Sequence, residues 1–172
     1  MRKSQEDAKA KFATALEEFQ TLTGVKPSEL ESKYKRLKSD YDRCESAAGE
    51  VRSRIDSVQT VGEKLFKEWS GEVAGMSDPS LKSANDQQMR TTRAQYDKLA
   101  AAMNGAEQKM APVLTAFKDR VTFLKGALNA QAVASLNTTL GQVQNDVNRL
   151  ITEMNASIAE ADEFIRQMKP AE

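Results

Sequence analysis

An apolar residue recurs at every third or fourth position through the middle of the chain, and this stripe constrains the fold more than any other feature. Its members are Leu30, Tyr34, Leu37, Tyr41, Cys44, Ala48, Val51, Ile55, Val58, Gly62, Leu65 and Trp69. Such spacing places the side chains on one face of a helix. Sustained over roughly five heptads, it predicts a long second helix that packs in coiled-coil fashion against other helices.

Glycines and capping residues mark the ends of the first two predicted helices. The first helix carries a shorter stripe over residues 8–22 and stops at residues 23–24, because the glycine there takes the left-handed C-terminal cap at least cost. Ser28 and Glu31 form a capping box that starts the second helix. Gly75 ends it.

The third helix has a clear beginning and an open end. Asp78 is its N-cap and Pro79 occupies the first helical position. Its stripe continues to Leu128, with a stutter beside Pro112, whose ring removes a backbone donor and predicts a kink. Residues 128–132 contain neither proline nor glycine, so the third and fourth helices are either separate or continuous. We place the break at Asn129, a residue type that tolerates the left-handed conformation, because a helix of ~90 residues would be an outlier among globular proteins.

Together these segments predict an all-α fold, an elongated antiparallel coiled-coil-like helical bundle that forms a single domain over residues 1–172. The fourth helix carries a stripe from Val133 to Met168 and ends at Pro170. Short connections between long helices imply antiparallel neighbours. Three long helices therefore form a rod. The short N-terminal helix thickens only the end where the second helix begins and the third ends.

The other end of the rod gathers large apolar residues. Phe66, Trp69, Met76 and Leu81 form a possible interaction tip, and the stripe of the fourth helix ends close by. One interpretation is that this tip presents an apolar surface to a protein partner or a membrane. The other is that Trp69 plugs an ordinary bundle end, as large aromatic residues commonly do.

Composition argues against nucleic-acid binding and catalysis. Lys+Arg and Asp+Glu are both 25, so the formal net charge is zero, whereas nucleic-acid binders rely on a basic excess. The chain has no histidine and one cysteine, Cys44, which sits on the apolar stripe and is expected to be a small buried hydrophobe. We therefore expect no catalytic residues, no metal site and no cofactor.

The sequence leaves location and assembly open. No stretch approaches the ~18 apolar residues that span a bilayer, and the first residues lack the apolar core of a signal peptide. Either the protein is cytoplasmic, or Met1 stands where a leader has been removed. A thin rod exposes much of its surface, which makes a homodimer plausible.

Several stretches resemble a bacterial family of unknown function, DUF2959. They are VRSRIDSV at 51–58, LFKEW at 65–69, KMAPVL at 109–114, FLK at 123–125, NAQA at 129–132 and IAEADEFI at 158–165. The resemblance implies an exported protein, often with a lipoprotein-type leader, and so favours the periplasm. It transfers no site residue.

Two function hypotheses follow. The first is a non-enzymatic structural or protein-interaction module of the bacterial cell envelope. The alternative is a membrane-associating bundle, in which a curved dimer or the aromatic tip contacts lipid.

Overall fold

The described part of the chain is all-α, which confirms the predicted fold class. The computed structural model describes residues 1–22, 25–126 and 129–168. The helices are α1 (Arg2–Gln20), α2 (Leu30–Gly75), α3 (Pro79–Gly126), α4 (Ala130–Asn137) and α5 (Leu140–Met168), with a 3₁₀ turn at Pro27–Glu29 before α2. The predicted cap at residues 23–24, the end of the α3 stripe at Leu128 and the stop at Pro170 lie outside the described residues.

The start of α2 differs from the predicted capping box. Ser28 lies inside the 3₁₀ turn, and Glu29 is the N-cap, without a side-chain cap bond. Glu29 has helical angles (φ −101°, ψ −11°), whereas a capping box needs an extended N-cap residue. The backbone of the turn closes this end instead, because the amide of Glu29 donates to the Lys26 carbonyl at 2.9 Å.

The turn between α2 and α3 follows the prediction. Gly75 is the last residue of α2. Asp78 caps α3, since its Oδ1 accepts from the amides of Ser80 at 2.8 Å and Leu81 at 3.1 Å. Pro112 lies inside α3, which continues from Pro79 to Gly126.

The predicted break at Asn129 is confirmed, but its conformation is not the left-handed one. Asn129 is extended (φ −142°, ψ 165°) and is the N-cap of α4. Its Oδ1 accepts from the amide of Ala132 at 2.9 Å. Asparagine therefore acts here by starting a helix, because its side-chain oxygen satisfies a free amide of the first turn.

A second break divides the predicted fourth helix into α4 and α5. Thr138 Oγ1 donates to the Ser135 carbonyl at 2.7 Å, and Thr139 Oγ1 donates to the Leu136 carbonyl at 3.0 Å. Hydroxyls in this position compete with the helical hydrogen bonds of the backbone. Arg120 of α3 also donates to the carbonyl of Thr139, at 3.4 Å.

One end of the bundle contains four helices, as the short first helix predicts. α1 packs against α2 and α5, while α3 packs against α2 and α5. In the core of this end Phe117 of α3 stacks on Phe12 and Phe19 of α1, with ring centroids 6.2 and 5.1 Å apart. Ser4 donates to Glu50 at 2.9 Å and Glu18 pairs with Lys33 at 3.5 Å, so α1 runs antiparallel to the first half of α2.

The other end lacks α1, and the face of α2 that is buried there differs from the predicted stripe. We call it the distal half: residues 55–103 of α2 and α3 with residues 163–168 of α5, beyond the ion pair of Arg2 with Asp162. Here α2 buries Ile55, Gly62, Phe66 and Val73. Leu65, which the stripe predicts to be buried, is 48% exposed, because α1 lies along the earlier part of the helix only.

The same correction applies to the end of α5. Ile165 and Met168 lie on the predicted apolar stripe but are 51% and 46% exposed. They extend beyond the level at which α1 packs on α5, since Arg2 of α1 pairs with Asp162. Both stripes therefore continue past the helix that covers them in the four-helix end.

Candidate interaction surface

The four residues of the predicted interaction tip do not share one environment. Phe66 is 6% exposed, whereas Leu81 is 60% exposed. Trp69 and Met76 are half-buried. The structure brings Phe66 and Trp69 together, with ring centroids 6.4 Å apart and planes at 11°. Leu81 stands in the first turns of α3, and Met76 is the C-cap of α2.

Phe66 belongs to an aromatic cluster that joins the three helices of the distal half. Its ring lies 5.4 Å from that of Tyr96 on α3, and Tyr96 in turn lies 6.4 Å from Phe164 on α5. Aromatic pairs at such distances contribute about 0.5–1.5 kcal/mol beyond their buried area. Phe66 is therefore a buried residue of the distal half and does not form an exposed tip.

Arg93 covers one side of this cluster. Its guanidinium lies 5.1 Å from the Phe66 ring centroid and 5.7 Å from that of Tyr96. It also pairs with Glu63 and with Asp97, each at 2.9 Å. A paired cation over the rings makes this side of the distal half polar.

The approach of α2 to α3 depends on Gly62. A Cβ at this position would lie 2.5 Å from the ring of Tyr96. The Tyr96 hydroxyl donates to the Gln59 carbonyl at 3.3 Å, and burial raises the pKa of Tyr96. Glycine thus lets a buried aromatic ring lie against the α2 backbone.

An apolar groove opens where α2, α3 and α5 meet, and Gly62 and Tyr96 are part of its wall. Its volume is about 400 Å³, and its lining includes Met1, Val58, Val61, Leu65 and Phe164. Val61 is 66% exposed, the highest fraction among the large hydrophobic side chains that the structure describes as exposed. The groove lies beside Met1 at the end of α1, where a fourth helix is missing from the bundle.

Exposed apolar side chains concentrate in the distal half. Those described are Val61, Leu65, Leu81, Phe123, Ile165 and Met168, and of these Phe123 alone lies near the four-helix end. Sequence reasoning places Leu65 and Ile165 in the core and does not single out Val61. The sequence does not show how far α1 extends along its neighbours. The same stripe is buried where α1 packs on it and exposed beyond.

The reactive side chains of the described residues occupy structural positions. Cys44 is fully buried, and burial raises the pKa of its thiol to about 12. Burial lowers the pKa of Arg120, which donates to backbone carbonyls. Across residues 1–22, 25–126 and 129–168, no cluster of three or more His, Cys, Asp or Glu side chains has an arrangement suited to a metal ion.

The described helices also do not include one that is long and apolar enough to cross a membrane.

What the fold and surface define is an all-α bundle with an apolar groove along one half. The chain belongs to the family described as "Protein of unknown function (DUF2959)", whose model matches residues 1–168. Neither the curated proteins nor the solved structures contain a match to the chain.

Proposed function

We propose that this protein is a non-enzymatic interaction module that binds another polypeptide through the groove of its distal half. The observation that carries the proposal is the exposed pair Val61 and Leu65 on α2, which line one apolar groove together with the half-buried Phe164 of α5. Contiguous apolar surface of this kind marks a binding site more often than an isolated exposed side chain does.

The state of the polar side chains supports a role without catalysis. A cysteine whose thiol pKa is raised to about 12 is protonated at neutral pH and is a poor nucleophile. Many acidic side chains form exposed ion pairs one helical turn from their partners, as in Glu31 with Lys35 and Asp42 with Lys38. Such pairs are typical of solvated helix faces.

The cell envelope is the proposed place of action, and this part rests on the resemblance to exported proteins. It is tested by fractionating cells that express the full gene and locating the protein by immunoblot. Recovery in the periplasmic or membrane fraction supports the assignment. Recovery with the cytoplasmic enzymes alone contradicts it.

The binding role is tested with a charge placed in the groove. Val61→Glu should abolish capture of partner proteins from envelope extracts, because a carboxylate would have to be desolvated at the contact. Phe123→Glu is the matched control, since Phe123 is also an exposed hydrophobic residue (45%) but lies outside the distal half. Identical captured proteins with wild type, Val61→Glu and Phe123→Glu would contradict the proposed site.

Membrane association is the second candidate, favoured by half-buried Trp69 and exposed Leu81 near the end of the rod. Tryptophan suits the boundary between water and lipid because it is both apolar and a hydrogen-bond donor. Co-sedimentation with anionic vesicles at low salt, lost in Trp69→Ser/Leu81→Ser, is the expected result for this function. Vesicles that leave the protein in the supernatant would rule it out.

A further inference from the structure

The exposed stripe of α2 in the distal half is self-complementary. Arg54 and Glu72 are separated by 18 residues, about five helical turns, so both point from the same side of α2. Val61 and Leu65 lie between them, within about 20° of the same line. Read along the helix, the stripe is therefore a cation, two apolar side chains and an anion.

From this pattern we propose that a second copy of the chain packs antiparallel on α2, across a twofold axis level with residue 63. The inference rests on the proposed interaction role and names the partner that the groove binds. In this register Val61 meets Leu65 of the second copy, and Arg54 meets Glu72, each contact occurring twice. A twofold interface requires such complementarity of a patch with itself.

The two charged residues are free to make this contact. Arg54 has a side chain 59% exposed, and its ion pair with Glu50 is long, at 3.9 Å. Glu72 is exposed, and the described residues show no ion pair for it. Lys64 and Glu68 flank the stripe but pair with each other at 3.8 Å, so they add little net charge beside the apolar centre.

Charge complementarity also fixes the direction. A parallel second copy would place Arg54 against Arg54 and Glu72 against Glu72, and like charges at an interface are unfavourable. The antiparallel copy satisfies all four charges. Its α2 also reaches Phe164, which lines the same groove from α5.

The expected dimer has a small interface and dissociates reversibly. The stripe from Arg54 to Glu72 is about 27 Å long at 1.5 Å per residue. Two helices in contact over that length bury less surface than a standard specific interface, so we expect a dissociation constant on the order of 10 µM. Sedimentation velocity should therefore show a monomer–dimer equilibrium across roughly 1–200 µM protein.

Charge exchange between two single variants gives the decisive test. Arg54→Glu and Glu72→Arg should each raise the dissociation constant at least about tenfold, because each places like charges opposite one another twice. A mixture of the two variants should associate again, since both carboxylates of the Arg54→Glu chain then face arginines of the Glu72→Arg chain. Self-association should also return when the two substitutions are combined in a single chain.

The controls lie elsewhere on α2. Lys67→Glu and Asp56→Arg change the net charge by the same amounts at exposed positions away from the stripe, and should leave the equilibrium unchanged. Circular dichroism and thermal unfolding check that each variant keeps the helical fold, which exposed substitutions on a helix leave largely intact.

Three results would overturn the dimer. They are a wild-type monomer throughout the concentration range, a dimer that Arg54→Glu does not weaken, and a mixture of the two single variants that stays monomeric. A monomer that still captures an envelope protein through Val61 would leave the proposed function standing and remove the second copy as its partner. Conversely, a dimer that obeys the charge exchange but shows enzymatic turnover would contradict the proposed function alone.

Discussion

Gly62 is a position at which the bundle has no room for a side chain. Ala at this site would press its methyl group into Tyr96, and that ring is held by its neighbours Phe66 and Phe164. We expect Gly62→Ala to lower the free energy of unfolding by about 1–3 kcal/mol, although alanine has the higher helix propensity. Urea denaturation followed by circular dichroism measures the change.

Gly71 supplies the matched control on the same helix. A Cβ there would meet nothing within 4 Å, so Gly71→Ala should stabilise the protein by ~0.5–1 kcal/mol through helix propensity alone. Equal effects of the two substitutions would show that the contact with Tyr96 does not limit the packing of α2 on α3.

Gln5 and Ser157 form a buried polar pair between α1 and α5. Both side chains are fully buried, and Gln5 Nε2 donates to Ser157 Oγ at 2.8 Å, while Gln5 Oε1 has no partner. Ser157→Ala should destabilise the fold by about 1–3 kcal/mol, because it leaves the amide nitrogen unpaired. Gln5→Met added to Ser157→Ala should recover most of that loss in a double-mutant cycle of unfolding free energies. Additive losses would contradict the coupling.

Cys44 should make stability depend on pH in alkaline solution. Its thiol pKa is raised from 9.0 to about 12, first by burial and then by the charge of Asp40. A raised pKa means that the folded state holds the proton more tightly. The stabilisation is thus complete below pH 9.0 and is lost progressively as pH rises towards 12.

The expected slope from this thiol is at most about 1.4 kcal/mol per pH unit. Denaturation of wild type and Cys44→Ala between about pH 8 and 10.5 isolates it, since Tyr41, whose pKa is also raised to about 12, is present in both proteins. Parallel curves for the two proteins would show that the thiol does not carry the effect.

At the level of the helices, the N-terminal ends show which structural features can be predicted from local sequence. Asp78 followed by Pro79 predicts the start of α3 correctly, because the carboxylate needs only the amides of the next turn. The Ser28–Glu31 pattern fails, because a 3₁₀ turn takes the place of the extended residue that a capping box requires. The break at residues 138–139 contains neither proline nor glycine. Arg120 of α3 donates to the carbonyl of Thr139 there, and this contact between helices cannot be inferred from the local sequence.

This difference gives a paired prediction on the two helix starts. Asp78→Ala should lower the free energy of unfolding by ~0.5–2 kcal/mol, because two amides of α3 lose their acceptor. Ser28→Ala should change it by less than about 0.5 kcal/mol, since α2 has no side-chain cap. Thermal denaturation of both variants measures the two changes. A larger loss of stability for Ser28→Ala than for Asp78→Ala would contradict the prediction and support the capping box.

For the molecule as a whole, the apolar stripes predict the helices and their antiparallel order but not which part of each stripe is covered. The apolar stripe of α3 is buried because α3 has neighbours along most of its length; its buried members are Thr92, Tyr96, Leu99, Met103, Ala106, Met110, Val113, Phe117, Val121 and Leu124. On α2 the stripe residue Leu65 is exposed and its neighbour Phe66 is buried, because burial on α2 depends on how far α1 extends along it. Heptad spacing is a property of one helix, whereas coverage depends on the lengths of its neighbours.

The unequal coverage predicts unequal amide exchange. Residues 76–91 of the α2–α3 hairpin include no buried residue, and Val73 and Thr92 are the nearest buried ones along the chain, whereas residues 106–121 lie within the four-helix end. We expect the first group to exchange at least about 100-fold faster by hydrogen–deuterium exchange mass spectrometry, because local opening needs fewer buried contacts to break. Uniform protection along α3 would contradict this.

Because α1 covers only one end of the bundle, we expect a gradient of unfolding free energy along α3. Its hairpin end can fray and refold without disturbing Phe117 and the rings stacked on it. Under a pulling force or protease attack, we expect the hairpin end to yield first and the four-helix end to survive as a folded remnant.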